Sequence, residues 1–90
     1  METITAYKYI VKKVDTNEPI IQGTRVSVRD VVESWKMGSS PEEIPSQYPH
    51  ITLSQVFESL AYYQDNKEEI EKFIEQNDVP ENLSGKYLSR

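Results

Sequence analysis

The stretch SSPEEIPSQYPHITLSQ, residues 39–55, contains two helix-start signals, separated by a proline and by the chain's only histidine. Ser40 can cap one helix, with Glu43 in the capping-box position. Thr52 can cap a second helix, with Gln55 in the corresponding position. Two helices that begin so close together are typical of the helix–turn–helix units that read DNA, and also of small helical domains that do not.

The two helices are expected to differ in regularity. Pro45 lies in the second turn after Ser40, where it has no N–H to donate and its ring crowds the preceding turn, so this helix should be short or irregular. The second helix, within residues 51–66, is the strongest in the chain. Tyr62 and Tyr63 are about 100° apart on it, so we expect one to be packed and the other to lie at an interface. Its expected inner face consists of Leu53, Val56, Phe57, Leu60 and Ala61.

Two further helices flank this pair. The first is capped by Ser27, with Asp30 in the box position, and ends at Gly38. Its buried stripe is Val28, Val31, Val32 and Trp35, with Trp35 in the core or at a dimer interface. The last helix, KEEIEKFIEQN (67–77), should pack along one edge of the domain because its apolar stripe is narrow. That stripe is Ile70, Phe73 and Ile74.

The N-terminal segment favours a short β ribbon. AYKYIVKKV, residues 6–14, alternates and contains tyrosines and β-branched residues, which is typical of a strand. Gly23 makes a turn before a second short strand at 25–28. Because a two-stranded ribbon is not stable in isolation, we expect the first strand to pair across a two-fold axis, which gives a homodimer.

These elements predict one mainly α domain. Residues 1–77 form a helix–turn–helix domain with an N-terminal strand pair, a tri-helical unit and a fourth helix. The helix that begins at Thr52 occupies the place of a recognition helix. Residues 78–90 contain proline, glycine and serine and few apolar residues, so we expect a flexible C-terminal tail.

Composition excludes several functional classes. The 90 residues suffice for one small domain. There is no cysteine, hence no disulfide, thiolate nucleophile or thiolate metal site. No apolar run approaches the roughly 18 residues of a membrane helix and no signal peptide opens the chain, so we expect a soluble, cytoplasmic protein without a membrane partner.

Charge is unevenly distributed along the chain. Residues 1–38 carry six Lys/Arg and five Asp/Glu, a sum of +1, and residues 39–90 carry four and ten, a sum of −6. The total of −5 argues against nonspecific binding to a phosphate backbone. A nucleic-acid surface would therefore need the first half of the chain.

The residues carry little signal for enzymatic chemistry. GTR at 23–25 matches neither a P-loop nor a dinucleotide-binding turn, and is better explained as a turn before a strand. His50 is the only candidate for acid–base work near neutral pH, but its position fits a turn residue whose ring bonds a backbone group. We therefore expect no catalytic residue, no metal and no cofactor. An enzyme that uses His50 and Arg25 is the weakest hypothesis.

A DNA surface would use the start of the helix that follows Thr52. This helix carries no Lys or Arg, and Glu58 on it would repel phosphates. Glutamine can read adenine in the major groove. Backbone contacts would come from Arg25 and Arg29, helped by Lys36 and the lysines of the ribbon. The residues expected to reach bases or phosphates are Thr52, Ser54, Gln55 and Ser59.

Residues 19–74 resemble the bacterial family called domain of unknown function 433. The matching motifs are P-I-x-G-T-R with one extra residue, G-x-S-P-E-E-I, Y-P-x-[IL]-T and V-x-x-[AS]-L-A-Y-Y, which lie at 19–25, 38–44, 48–52 and 56–63. The resemblance implies a homeodomain-like or winged-helix-like DNA-binding fold and a homodimer. Some relatives look like VapB-type antitoxins that pair with a toxin ribonuclease.

An antitoxin would also use the tail. Its toxin-binding candidates are Leu83, Lys86, Tyr87 and Leu88, with the apolar side chains as anchors and the lysine entering an acidic metal site. The leading hypothesis is therefore a small dimeric helix–turn–helix protein that binds operator DNA as an antitoxin or transcriptional regulator. The alternative is a protein–protein interaction module on the same fold that no longer binds DNA.

Overall fold

Three α-helices and a short antiparallel sheet make up residues 2–3 and 6–77, the part of the chain that the computed structural model describes. The prediction of a mainly α protein with a short N-terminal sheet is confirmed, and the tail at 78–90 lies outside the described residues. In chain order the elements are β1 Glu2–Thr3, β2 Ile10–Lys12, β3 Pro19–Ile21, α1 Val28–Lys36, a 3-10 turn Ile44–Ser46, α2 Leu53–Asp65 and α3 Lys67–Asn77.

The sheet has three strands in the order β1-β2-β3, not two. β2 pairs antiparallel with β1 on one side and with β3 on the other. The expected strand at 6–14 is shorter because the N–H of Tyr9 bonds to the Glu58 carboxylate instead of a strand. The expected second strand at 25–28 contributes only one bridge, between Ile20 and Ser27.

This pairing removes the argument that led to a homodimer. β2 has a neighbour on both sides within its own chain, so among the described strands none is left without a partner that a second copy would have to supply. The reasoning from a two-stranded ribbon was therefore wrong, and the homodimer itself stays a prediction.

The capping boxes at Ser27 and Thr52 form where the sequence predicts them. The Ser27 hydroxyl accepts the N–H of Asp30 at 3.0 Å, and the Asp30 carboxylate accepts the N–H of Ser27 at 3.0 Å. Thr52 and Gln55 make the same reciprocal pair at the start of α2. These local bonds satisfy N–H groups that have no partner inside the helix, which fixes where α1 and α2 begin.

The helix expected after Ser40 is reduced to turns, as predicted. Pro45 has no N–H for the next helical bond, and the segment makes i→i+3 bonds instead. The N–H of Ile44 donates to the carbonyl of Pro41 at 3.3 Å, and the N–H of Gln47 donates to the carbonyl of Ile44 at 2.9 Å. Ile44 is fully buried, so this short turn still contributes to the core.

The core lies between β2, β3, α1 and the inner faces of α2 and α3. Val28, Val31 and Val32 of α1 are fully buried, and α1 packs against both other helices. Trp35 stays 38% exposed at the end of this stripe and makes an edge-to-face contact with Tyr63. No helix among the described residues combines the length and apolar character needed to cross a bilayer.

The inner face of α2 differs from the expected one. Its buried residues are Val56, Ser59, Tyr62 and Tyr63. Leu53 and Phe57 are 38% and 49% exposed, and Ala61 is exposed as well. The expectation that these three face the core was wrong because α2 turns both tyrosine rings inward.

Both tyrosines bridge the junction between α2 and α3. The hydroxyl of Tyr62 donates to Glu69 at 2.6 Å, and the hydroxyl of Tyr63 donates to Glu71 at 2.5 Å. Only 3% and 5% of these tyrosines are exposed, so the expectation that one of them lies at an interface was wrong. Each ring fills the core while its hydroxyl reaches a carboxylate at the surface.

Candidate functional site

The exposed side of α2 presents apolar side chains in a line. Leu53, Phe57 and Ala61 follow an i, i+4, i+8 pattern, which places them on one side of the helix. We call this surface the α2 face; it consists of Leu53, Ser54, Phe57, Ala61 and Gln64.

The polar start of α2 is mostly occupied by its own cap. The side-chain oxygen of Gln55 accepts the N–H of Thr52 at 2.8 Å, and the hydroxyl of Thr52 accepts the N–H of Gln55 at 3.2 Å. Ser54 is exposed. Ser59 is fully buried and donates to the carbonyl of Gln55 at 2.8 Å. Ser59 therefore has no exposed atom to offer DNA, and the prediction that it contacts DNA was wrong.

Arg29 is held within the fold by carboxylates. Its Nε donates to Glu18 at 2.9 Å, and its Nη1 lies 3.4 Å from Glu33. Burial opposes the charged form, but the hydrogen bond and charge of Glu18 outweigh it and raise the pKa of the guanidinium. A guanidinium that is engaged in this way and 19% exposed is poorly placed for the predicted phosphate contact.

Two lysines that could support DNA binding are also paired. Lys12 lies 3.0 Å from Glu69, and Lys36 lies 2.5 Å from Glu71. The hydrogen bond with Glu71 raises the pKa of Lys36, and that same bond lowers the pKa of Glu71. These pairs leave little of the charge of Lys12 and Lys36 free to contact phosphate.

Arg25 differs from these cations. It is exposed and makes no ion pair or hydrogen bond with the residues that the structure describes. Gly23 starts its loop with a φ of 81°, as the turn interpretation predicts. Among the predicted site residues that the structure describes, Arg25 is therefore the one whose charge is most available.

Arg25 opens onto a groove of about 620 Å³ between two loops. We call this the loop groove; its lining residues are Gly23, Thr24, Arg25, Val26, Asp30, Tyr48, Pro49 and His50. The sequence alone does not bring the two loops together, because more than twenty positions divide them. The available signal was that each loop carries one of the motifs on which the family resemblance rests.

One acidic group and two phenolic groups of α2 have structural partners. Glu58, expected to repel phosphates, accepts the N–H of Tyr9 at 2.6 Å. Burial and the bond to Glu69 raise the pKa of Tyr62, and the bond to Glu71 raises the pKa of Tyr63. Among residues 2–3 and 6–77, no three histidine, aspartate or glutamate side chains converge as a metal site.

His50 does not form the bond expected of it. It is a turn residue with a φ of 72°, but its ring makes no hydrogen bond within the described part of the chain. The predicted toxin-binding residues lie outside the described residues; they are Leu83, Lys86, Tyr87 and Leu88.

Comparison with known proteins identifies one family. The family model described as "Protein of unknown function (DUF433)" matches residues 13–63. Neither the curated proteins nor the solved structures include a match. The matched segment begins just after β2 and ends within α2, so it contains α1, the 3-10 turn and both walls of the loop groove.

Proposed function

We propose that this chain, which belongs to the DUF433 family because the family model matches 51 of its 90 residues (13–63), is a small non-catalytic module that binds a partner protein in the cytoplasm. The observation that carries the proposal is the α2 face. Leu53 and Phe57 remain 38% and 49% exposed there, on a helix whose other side is well packed. Aligned apolar side chains of this size are typical of protein interaction surfaces.

Charge favours a protein over DNA as the partner of this face. The helix that contains it has no Lys or Arg, and the whole chain carries −5. Affinity for DNA depends largely on cations that neutralise phosphates. Arg29, Lys12 and Lys36 already pair with carboxylates of the same chain. An apolar partner surface needs no such cations.

The exposed area of Phe57 indicates how much this side chain can contribute to the free energy of partner binding. A phenylalanine side chain buries roughly 200 Å², so its exposed half offers about 100 Å² to a partner. At about 25 cal/mol per Å² this area is worth about 2.5 kcal/mol, or a 50- to 70-fold change in Kd. Leu53 should contribute less to the binding free energy, because a smaller fraction of it is exposed. Together the two residues can form the centre of an interface.

Affinity capture from the native host with matched variants tests the proposal. The test variant carries Leu53→Ser and Phe57→Ser. The control carries Met37→Ser, which removes an apolar side chain that is 86% exposed but lies outside the α2 face. We expect wild type and Met37→Ser to capture the same protein and the double variant to lose it. Equal capture by all three proteins, with unchanged circular dichroism, would refute this role for the α2 face.

DNA binding by a dimeric helix–turn–helix protein, as an antitoxin or transcriptional regulator, is the second candidate. It is favoured by the free charge of Arg25 near the start of α2, where Ser54 is exposed. In this form a homeodomain-like or winged-helix-like unit presents α2 to the major groove, and a homodimer doubles the cations at the operator. The C-terminal tail then binds a toxin ribonuclease.

Titration against the DNA upstream of the protein's own gene separates the two candidates. A DNA-binding protein should lose affinity steeply between 50 and 200 mM salt. Arg25→Gln should reduce the slope of the logarithm of the binding constant against the logarithm of salt concentration by about one unit. Ser54→Ala should relax sequence preference, while Ser59→Ala should change nothing because Ser59 is buried. A DNA titration that shows no binding at low salt would rule out the DNA-binding candidate, and the protein-binding module would remain of the two.

A further inference from the structure

One wall of the loop groove is rigid without help from Arg25. The hydroxyl of Thr24 donates to the carbonyl of Ile21 at 2.8 Å and accepts the N–H of Val26 at 3.0 Å. The N–H of Thr24 also donates to the carbonyl of Ile21 at 3.1 Å. These three bonds fix the loop through its backbone and one hydroxyl, so the guanidinium of Arg25 is not needed to hold it.

The opposite wall holds the chain's only imidazole in an unfavourable backbone conformation. His50 has a φ of 72°, which costs a side chain with a Cβ more than it costs glycine. Its ring is exposed at the groove and makes no hydrogen bond with the described residues. Next to it, the hydroxyl of Tyr48 lies 3.3 Å from that of Ser34, which anchors this wall on α1.

The balance of charge in the groove favours an anion. Arg25 contributes a full positive charge, and His50 contributes an N–H donor in any protonation state. Asp30 is the one carboxylate in the lining. Its charge is already engaged, since it accepts the N–H of Ser27 at 3.0 Å and lies 3.8 Å from the guanidinium of Arg29.

The rest of the lining is suited to a flat apolar group. Val26, Tyr48 and Pro49 contribute apolar or aromatic surface between the polar ends. A volume of about 620 Å³ is within the range of small-molecule sites, which combine apolar walls with a few polar groups. The surface is distinct from the α2 face, because the two share no residue.

We propose that the loop groove binds a small aromatic carboxylate. The carboxylate would pair with Arg25 and accept a hydrogen bond from His50, and the aromatic body would lie against Tyr48, Pro49 and Val26. An arginine binds a carboxylate through two parallel N–H···O bonds, which a neutral amide cannot replace. The site requires neither the protein partner nor DNA, so it can be tested on the isolated chain.

Titration followed by backbone amide resonances tests this site, with 2-naphthoate as the probe. The matched neutral compound is 2-naphthamide, and inorganic phosphate is the anion without an apolar body. We expect 2-naphthoate to shift and saturate resonances at 23–26 and 48–50, and to bind about tenfold more tightly than 2-naphthamide. Inorganic phosphate should bind more weakly than either naphthyl compound, because it makes no contact with the apolar surface of the groove.

Three variants locate the binding energy. Arg25→Gln should lower the affinity for 2-naphthoate about tenfold. Lys13→Gln removes an exposed cation outside the groove and should leave the Kd for 2-naphthoate unchanged. His50→Asn should weaken it by a few fold, since asparagine tolerates the same backbone conformation without the ring.

Several results would overturn the proposal. One is the absence of any shift at about 10 mM 2-naphthoate, and another is a Kd that Arg25→Gln leaves unchanged. Equal binding of 2-naphthoate and 2-naphthamide would show that only apolar contact matters. Phosphate binding as tight as that of 2-naphthoate would assign Arg25 to phosphate contacts of the kind that DNA makes.

Discussion

The ion pair between Arg29 and Glu18 offers the sharpest test of how this fold uses its cations. The two side chains are 19% and 14% exposed, and Nε and Oε2 are 2.9 Å apart. Two charges about 4 Å apart attract by about 4 kcal/mol at an effective dielectric constant of 20, and desolvation cancels much of this. Removal of the arginine, however, leaves the mostly buried Glu18 side chain without its charged donor, which should cost about 2 kcal/mol.

A double-mutant cycle measures this energy. Arg29→Gln and Glu18→Gln should each lower the free energy of unfolding in urea by about 2 kcal/mol, followed by far-ultraviolet circular dichroism. The double variant should lose about 1–2 kcal/mol less than the sum, because the second change removes a partner that is already missing. The Tm of Arg29→Gln should fall by about 10 °C for a domain of this size.

Arg25→Gln is the matched control. It removes the same functional group from an exposed position without an ion pair in the described part of the chain, so it should change stability by less than about 0.5 kcal/mol. The reasoning fails if Arg29→Gln keeps the wild-type midpoint while it weakens binding to DNA. In that case the guanidinium contacts phosphate, as the sequence suggested, and its bonds to Glu18 and Glu33 contribute little to the fold.

Three further predictions follow from the described contacts. Ser59→Ala should change the free energy of unfolding by no more than about 0.5 kcal/mol, because alanine has a higher helix propensity than serine and fits the same buried space. Urea unfolding measures this free energy. A loss above about 1 kcal/mol would show that the buried hydroxyl is required. The pKa of Glu71 is lowered by Lys36, so its contribution to stability is complete above the unfolded value near 4.5 and is lost as pH falls through the lower folded value. Glu71→Gln should therefore flatten the decline of Tm between roughly pH 5 and pH 3, and an unchanged decline would contradict the assignment. His50→Val should cost about 1–2 kcal/mol in chemical denaturation and His50→Asn almost nothing, because a β-branched residue is strained at a φ of 72°; equal stability of the two variants would argue against that strain.

Helix boundaries could be predicted from the sequence because their causes are local. The capping boxes that start α1 and α2 each involve residues only three positions apart. The irregular segment around Pro45 follows from the missing N–H of one residue. Gly38 ends the first helical region with a φ of 108°, as a residue without a Cβ can. None of these features depends on the rest of the fold.

The exposed side of α2 could not be predicted in the same way. Leu53 and Phe57 have the same periodicity as a buried stripe, and nothing local distinguishes them from Val56 and Tyr63. The choice depends on tertiary contacts, namely the ring of Trp35 against Tyr63 and the reach of the tyrosine hydroxyls to α3. A small buried residue, Ser59, lies on the side that packs closely.

The pairing of cations and the loop groove were also hidden from sequence reasoning. The sequence does not show that Arg29 is paired, because Glu18 lies eleven positions away. The groove arises only when the loop at 23–26 meets the turn at 48–50. The residue types indicate which side chains could bind a partner. Tertiary contacts determine which of those side chains are free of ion pairs and hydrogen bonds.

The bonds that hold the N-terminal segment onto α2 should form late when the chain folds. The N–H of Tyr9 bonds to Glu58 and the hydroxyl of Tyr7 to Asp65, across 49 and 58 positions of sequence. Contacts so distant are slow to form, because loop-closure entropy must be lost before they can stabilise the chain. The helical unit should therefore assemble first, and the N-terminal segment should dock after the rate-limiting step. Glu58→Gln should then speed unfolding and leave the folding rate almost unchanged.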